Sequence, residues 1–429
     1  MRRRDFVVRS AVLALAPGTL AACGAAERHA VAPTGWDAVR ASFALDPSEH
    51  NLTAYWFASH PKPVRDAIER HRAGLDADSR RYLTRRELLE NDVRAAAAEY
   101  LETSADQIAL TDSTTMGLGL LYAGLALRAG DELVTSTHDF YATHEALRVR
   151  AERDGCTLNK VELYSRPDET SIDEIVSNVE LALTPKTRVL ALTWVHSSTG
   201  VKLPVREIAD VVAHANRDRG PGERILFCLD GVHGFGCEAA TPDELGVDFL
   251  VSGCHKWLFG PRGTGLVWGT PLAWSEVAPT IPTFDQQQYF AWMYDQPTAV
   301  PPGQLETPGG FHSMEHRWAL KEAFEWRQRL GRRAVEQRTH ELVERLKTGL
   351  DGARHLQMAT PRDARLSAGM VMTVPFRNDP GAVVDKLYAK HRIVASVTPY
   401  RDSFVRVGPS IVNHEDEVDL TARALRELS

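Results

Sequence analysis

The sequence predicts an α/β fold: a large domain built on a mostly parallel seven-stranded sheet covered by helices, followed by a smaller C-terminal α+β domain. Three observations predict it. Between Ile108 and Trp268, seven short apolar runs alternate with stretches of helical periodicity, as strand–helix–strand crossovers require. After residue 310 the order changes to long helical patterns and then short strands. The residues able to do chemistry cluster at the ends of the predicted strands, where open α/β sheets bind their ligands.

Composition sets the frame. A chain of 429 residues, 43% hydrophobic and 25% charged, can bury a large core or two domains sharing a site. The net charge of -7, with no basic stripe to offset it, argues against nucleic acid as a partner. The five cysteines form no CxxC pair and no zinc spacing, so neither a metal site nor a disulfide framework is expected. Cys228 and Cys254 read as small buried hydrophobes. No GxSxG, HExxH or Walker motif occurs.

In order along the chain, Arg3-Arg4-Asp5-Phe6-Val7 resembles a twin-arginine export signal, and Ala11–Ala22 is too short and too broken by Pro17-Gly18 to be a permanent membrane helix. Leu20-Ala21-Ala22-Cys23-Gly24 resembles a bacterial lipobox. The expectation is a signal over residues 1–22, lipidation of Cys23 as the sole membrane contact, a tether over 23–35, and an exported, periplasmic or cell-envelope lipoprotein; a cytoplasmic protein is the alternative. The large domain with its N-terminal segment is expected over 36–310 and the small one over 311–429.

Helical patterns run over Trp36–Phe43, Pro63–Arg72 and the alanine-rich Leu88–Leu101. Strands are predicted at Ile108–Leu110, Glu132–Ser136, Leu158–Leu163, Arg188–Val195, Ile225–Leu229, Phe249–Val251 and Gly265–Trp268. Helices are predicted between them at Thr115–Leu127, Thr143–Asp154, Ile172–Ala182, Val205–Asn216 and Pro242–Leu245. Thr270–Pro308 has no clear period and reads as a crossover. One or two helices are predicted over Ser313–Leu350. Strands at Met370–Pro375, Ile393–Thr398 and Phe404–Val407, with helices at Ala382–Lys390 and Glu415–Leu428, complete the small domain.

Lys256 sits between two apolar strands, in Ser252-Gly253-Cys254-His255-Lys256-Trp257. A charged ammonium is rarely left there without a task. A desolvated lysine has a lowered pKa and forms imines with aldehydes. Asp230 ends the apolar run before it. An acid and an imine-forming lysine at neighbouring strand ends are what pyridoxal phosphate needs, the acid pairing with the pyridine nitrogen. Thr111-Asp112-Ser113-Thr114-Thr115 closes a strand and opens a helix, a place suited to a phosphate.

Taken together, Thr114/Thr115, Asp230-x-x-His233 and His255-Lys256 resemble, in order and spacing, the aminotransferase class V family of pyridoxal-phosphate enzymes. The wording His255-Lys256-Trp257-Leu258 with Gly260-Pro261-Arg262-Gly263-Thr264-Gly265 is most similar to its isopenicillin N epimerase-like branch. The resemblance runs from about Phe43 to Asp419. It implies fold type I and a set of roles. Lys256 would carry pyridoxal 5'-phosphate and move protons at the substrate α-carbon. Asp230 would hold the pyridinium, His233 would approach the phenolic oxygen, and Phe140 would stack on the ring. Thr114, Thr115 and His255 would take the phosphate. Ser197 matches a cofactor position where desulfurases carry Asn, and Arg406 matches the arginine that clamps the substrate carboxylate. Thr307 matches a threonine reaching the phosphate of a partner subunit, which implies a homodimer. Tyr55 and Trp56 are expected to line the substrate side. Ser252 is displaced by one extra residue from the family's Ser-x-His-Lys, so the phosphate role of its counterparts is left open for it.

These residues imply an enzyme acting at the α-carbon of an amino acid or a peptide-borne amino acid, as an epimerase or a transaminase. The second base of an epimerase would be a residue such as His138 or Tyr141. A C–S or β-lyase of the same fold, or an inactive exported binding protein, is the alternative. Desulfuration needs a cysteine just before the carboxylate-binding arginine, and Val397–Ser403 has none.

Overall fold

A computed structural model describes residues 35–428. The expected signal, Cys23 and nearly all of the tether lie outside the described residues.

The strands, in chain order, are β1 (His50–Asn51), β2 (Ile108–Thr111), β3 (Glu132–Ser136), β4 (Thr157–Val161), β5 (Thr187–Thr193), β6 (Leu226–Asp230), β7 (Phe249–Gly253), β8 (Gly265–Gly269), β9 (Leu356–Met358), β10 (Val371–Pro375), β11 (Ile393–Val394), β12 (Ser396–Val397) and β13 (Val405–Val407). Seven of them form one sheet in the order β2-β8-β7-β6-β5-β3-β4. Its central pairs are parallel, and only β8 runs against its neighbours β7 and β2. β2, β5, β6, β7 and β8 are buried along their whole length. This explains why they read as unbroken apolar runs rather than alternating ones. β4, at the sheet edge, is half exposed and ends at Val161, short of the predicted Leu163.

The register sets up the site. Thr193 pairs with Asp230, and Asp230 with Val251. The carboxyl ends of β5, β6 and β7 therefore finish level. Helix Thr114–Gly124 starts beside them, capped by the Ser113 hydroxyl, which accepts from the Met116 N–H at 3.1 Å. Gly117 lets this helix lie close on the sheet, since a Cβ there would come within 2.7 Å of Val251.

The predicted long helical stretch is two helices, Met314–Leu330 and Arg332–Leu350, parted at Gly331 with φ 82°. Beyond it, β12-β13-β10-β9 form an antiparallel sheet. A separate apolar cluster including Leu346, Val371, Leu387, Val405 and Leu425 packs around it. The single predicted strand over Ile393–Thr398 is divided. β11 pairs in parallel with β1, while β12 pairs with β13. The two halves serve different sheets, and apolar pattern alone does not reveal a change of partner. Leu52 joins the C-terminal cluster, and its carbonyl accepts from the Gly408 N–H at 2.8 Å. The N-terminal segment is thus stitched into the C-terminal sheet.

Thr270–Pro308, expected as an irregular crossover, contains helices Pro271–Trp274, Gln286–Tyr294 and Pro302–Leu305. The middle one buries no residue, so it carries none of the apolar periodicity by which helices are read.

One backbone contact holds the lysine loop. Gly236 has φ 82°, and a Cβ there would meet the Leu258 backbone nitrogen at 2.7 Å. Gly263 has φ 70° with open space around it. Gly263→Ala is expected to cost about 1 kcal/mol from the left-handed backbone alone. Gly236→Ala adds a steric clash and is expected to cost about 3 kcal/mol. Urea unfolding of both variants checks this; equal shifts would contradict the close approach.

Candidate active site

A cavity of about 230 Å³ opens at the carboxyl ends of the parallel strands. Most of the predicted site residues line it: Tyr55, Trp56, Thr114, Thr115, Phe140, Ser197, Asp230, His233, His255, Lys256 and Arg406. Ser113, Thr193 and Pro399 also line it, together with apolar neighbours.

Lys256 follows β7 on a tight loop. The Phe259 N–H donates to the Lys256 carbonyl at 2.9 Å, and Phe259 itself adopts φ 59°. The Gly260 N–H donates to the Cys254 carbonyl at 2.8 Å. Trp257 and Leu258 anchor the loop in the core, so the lysine between apolar residues is pushed toward the cavity. Burial lowers the pKa of its amine, and the nearby Arg406 guanidinium adds to this, while Asp230 opposes it. Burial likewise raises the Asp230 carboxyl, against an N–H donated by Val232 at 3.0 Å and the attraction of Lys256. For both groups desolvation outweighs mutual attraction.

Asp230 opens the turn to His233. The Gly231 N–H donates to the Val251 carbonyl at 2.8 Å, and the Phe235 N–H to the Gly231 carbonyl at 2.7 Å. Gly234 is required because a Cβ would strike the Trp194 ring at 2.2 Å. His233 is buried, its pKa is driven well down by desolvation, and its Nδ1 has no partner. His255 is similarly neutral, with burial lowering its pKa to about 4, and its Nδ1 is also unpartnered.

At the other end, the Thr114 hydroxyl accepts from the Gly253 N–H at 2.7 Å. This bond ties the lengthened lysine motif to the start of the helix. Ser252 is fully buried and donates to the Gly253 carbonyl at 3.0 Å, so it is not available to a phosphate.

Arg406 reaches the cavity from β13. Its Nε donates to Ser396 at 3.1 Å, and its guanidinium lies 4.4 Å from the centroid of the Tyr55 ring. The Tyr55 hydroxyl donates to the Arg406 carbonyl at 2.7 Å. Tyr55 is buried and acts as the platform that orients Arg406; Trp56 stands 61% exposed at the rim.

Three sequence expectations are corrected. Thr307 is buried away from the cavity lining. Its hydroxyl donates to the Gly303 carbonyl at 2.6 Å and accepts from Arg94 and the Leu110 N–H, both at 3.0 Å. Those bonds fix helix Pro302–Leu305 against β2 and leave no donor for a phosphate. His138 does not line the cavity; it stacks on Tyr164 at 3.8 Å. Tyr141 is 70% exposed and faces a different groove with Arg153. Neither is placed to act as a second base.

Sequence reasoning missed Ser113, Thr193, Ser396 and Tyr400. Ser113 was legible as a helix cap. The others depend on which loops meet. A wider groove of about 940 Å³ runs along helix Arg332–Leu350, but its buried Lys347 already donates to the Pro361 carbonyl and the Ser367 hydroxyl.

The cavity fits pyridoxal phosphate. A helix start with three hydroxyl residues, Ser113, Thr114 and Thr115, offers a phosphate seat. The unpartnered nitrogens of His233 and His255 are orphaned until a polar group arrives. Asp230 would hold the ring nitrogen, and Lys256 would bond the aldehyde carbon.

Comparison with known proteins agrees. The profile of the aminotransferase class-V family matches residues 65–419. Isopenicillin N epimerase of Streptomyces clavuligerus is 26% identical over 414 residues, covering 93% of this chain and 100% of that protein. A probable cysteine desulfurase of Vibrio cholerae is 23% identical over 86% of this chain and 90% of its own length. Among solved structures, a mutant of C-DES with glycine covalently linked to its pyridoxal phosphate superposes with a TM-score of 0.81 at 21% identity, over 91% of this chain and 99% of that one. The match extends across both the strand-end cavity and the domain that delivers Arg406, and the chain therefore belongs to the aminotransferase class-V family of pyridoxal-phosphate enzymes.

Proposed function

We propose that the protein removes and replaces the α-proton of an amino acid, free or carried in a peptide, and inverts that centre as an isopenicillin N epimerase-like enzyme. The observation that carries this reading is the loop between β12 and β13, which brings Pro399 to the cavity lining and Tyr400 behind it onto the Ser197 hydroxyl, and holds no cysteine. The described cysteines are elsewhere: Cys228, Cys237 and Cys254 are fully buried with thiols pushed up by desolvation, and Cys156 lies beyond β3 next to the Arg128 carbonyl. Among the described residues no thiol is placed as a desulfurase's nucleophile. The full-length similarity to the Streptomyces epimerase supports the same reading.

When bound, the cofactor supplies an electron sink for the bond broken at the α-carbon. Arg406, steadied by Tyr55 and Ser396, binds the α-carboxylate. Lys256, whose charged form burial disfavours, takes the α-proton. Asp230 would pair with the ring nitrogen, and Phe140, which lines the same cavity, would pack against the ring. Trp56 and Phe140 stand exposed where the cavity opens to solvent.

The protein as purified is expected to be yellow, and borohydride is expected to fix the cofactor on the peptide carrying Lys256. A colourless protein, or an adduct that survives Lys256→Ala, contradicts the assignment.

Proton NMR in D₂O with a panel of L- and D-amino acids and peptides separates the possible reactions. Epimerisation is expected, seen as α-deuteration with loss of chirality. Keto-acid formation would instead mark a transaminase, and release of pyruvate or sulfide a β- or C–S lyase.

We also propose export by the Arg3-Arg4 signal, anchorage through lipidated Cys23 and assembly as a homodimer. The substrate would then be tailored outside the cytoplasm. Helix Gln286–Tyr294 supports association, since Tyr289, Trp292 and Tyr294 stand exposed on it. Detergent-solubilised protein is expected to carry acyl chains on Cys23 and to sediment as a dimer; an unacylated monomer contradicts both.

A further inference from the structure

Epimerisation needs a proton delivered on the side opposite the one from which it was taken, and the residues expected to supply it do not reach the cavity. The sheet order shows where to look. Lys256 follows β7, Asp230 ends β6, Ser197 follows β5 and Phe140 follows β3, and these four strands are neighbours in that order. Lys256 and the Ser197–Phe140 side therefore flank Asp230 from opposite directions. A group acting against Lys256 has to stand with Ser197 and Phe140.

One hydroxyl pair stands there. The oxygens of Ser197 and Tyr400 lie 2.6 Å apart. Ser197 lines the cavity and is 8% exposed. The Tyr400 ring packs edge-on against Phe140, centroids 6.2 Å apart. Its loop is pinned at the base: the Thr398 N–H donates to the Phe404 carbonyl, and the Phe404 N–H to the Thr398 hydroxyl, both at 2.9 Å. The Ser403 hydroxyl donates to the Tyr400 carbonyl at 2.8 Å. The loop leads from Ser396, which holds Arg406, to the strand bearing Arg406 itself. A carboxylate on Arg406 thus brings its α-carbon to the part of the cavity this loop covers. Among the other hydroxyls of the lining, that of Tyr55 donates to the Arg406 carbonyl, that of Thr114 accepts from the Gly253 N–H, and that of Thr193 has no partner through which a proton could be replaced.

We propose that Tyr400, backed by Ser197, is the second acid–base group of the reaction, acting at the substrate α-carbon opposite Lys256. This rests on the epimerase reading above. The Lys256 amine takes the α-proton from one side. The Tyr400 hydroxyl gives its proton to the α-carbon on the other, and the phenolate left behind is reprotonated by the Ser197 hydroxyl, which regains a proton from water at the rim. Lys256 releases its proton to solvent. One proton leaves the α-carbon and one arrives, and nothing is oxidised or reduced. Desolvation raises the phenol to about 12, so Tyr400 holds its proton at neutral pH and stands ready as a donor.

The test uses the cofactor-loaded protein, the L- and D-forms of the best substrate from the NMR panel, and D₂O. Tyr400→Phe is expected to slow inversion by about 100-fold or more, the scale of a lost general acid. It should leave α-hydrogen exchange without inversion near the wild-type rate for the form whose proton faces Lys256. Its visible absorption spectrum should match wild type, showing an intact cofactor seat. Ser197→Ala should slow inversion less, and His138→Asn should leave it unchanged. Inversion at the wild-type rate in Tyr400→Phe overturns the proposal. So does equal loss of exchange and inversion with an altered spectrum, which marks a structural role, and so does loss of inversion in His138→Asn. A wild-type protein that exchanges the α-proton but never inverts it defeats the epimerase reading and takes the role of Tyr400 with it.

Discussion

Burial of Lys256 and Asp230 in one cavity is the constraint on which the rest of the structure depends. Each would be charged in water, and each is held where charge is costly. Desolvation lowers the amine and raises the acid despite their attraction. The amine is thereby kept as a base and nucleophile, and the acid waits for a cationic ring. Maintaining that state requires a dry floor, which the level, fully buried ends of β5, β6 and β7 provide. It also requires loops that cannot relax, hence the close-packed glycines at 234 and 236 and the left-handed Phe259.

The second half of the site comes from far away in sequence. β1 pairs with β11, and Leu52 bonds to Gly408, so the segment after β1 delivers Tyr55 beneath Arg406. Ser396, across from Arg406 in the antiparallel pair, holds the Nε. The guanidinium is consequently aimed by the C-terminal sheet and the N-terminal segment together. The same sheet carries the loop whose Tyr400 meets Ser197 at the end of β5. Substrate recognition and the cofactor seat meet at this contact.

Much of the floor was legible because its residues are local to strand ends. Asp230 to His233 and His255-Lys256 each lie within one turn, and Ser113 to Thr115 within one cap. Their spacing is fixed by backbone geometry that the sequence displays directly. Thr307 was misread because a threonine's partners are tertiary: three internal bonds consume its hydroxyl. His138 and Tyr141 were close in sequence to Phe140, yet adjacent residues at a strand-to-helix turn point in different directions. His138 turns inward onto Tyr164, and Tyr141 turns out to solvent. Helix Gln286–Tyr294 escaped notice because no buried stripe marks it.

The sequence by itself determined the alternating architecture, the parallel core, the cofactor and the lysine, acid and arginine expected to serve it. Those features follow from hydrophobic runs and from short motifs whose members are a few bonds apart. Only the tertiary structure decided which strand ends lie side by side, that β11 and β12 serve separate sheets, and that Tyr400 rather than His138 or Tyr141 reaches the Ser197 side of the cavity. These outcomes depend on strand order and on loops packing across hundreds of residues, where burial and hydrogen-bond satisfaction choose the partners and local pattern carries no record of the choice.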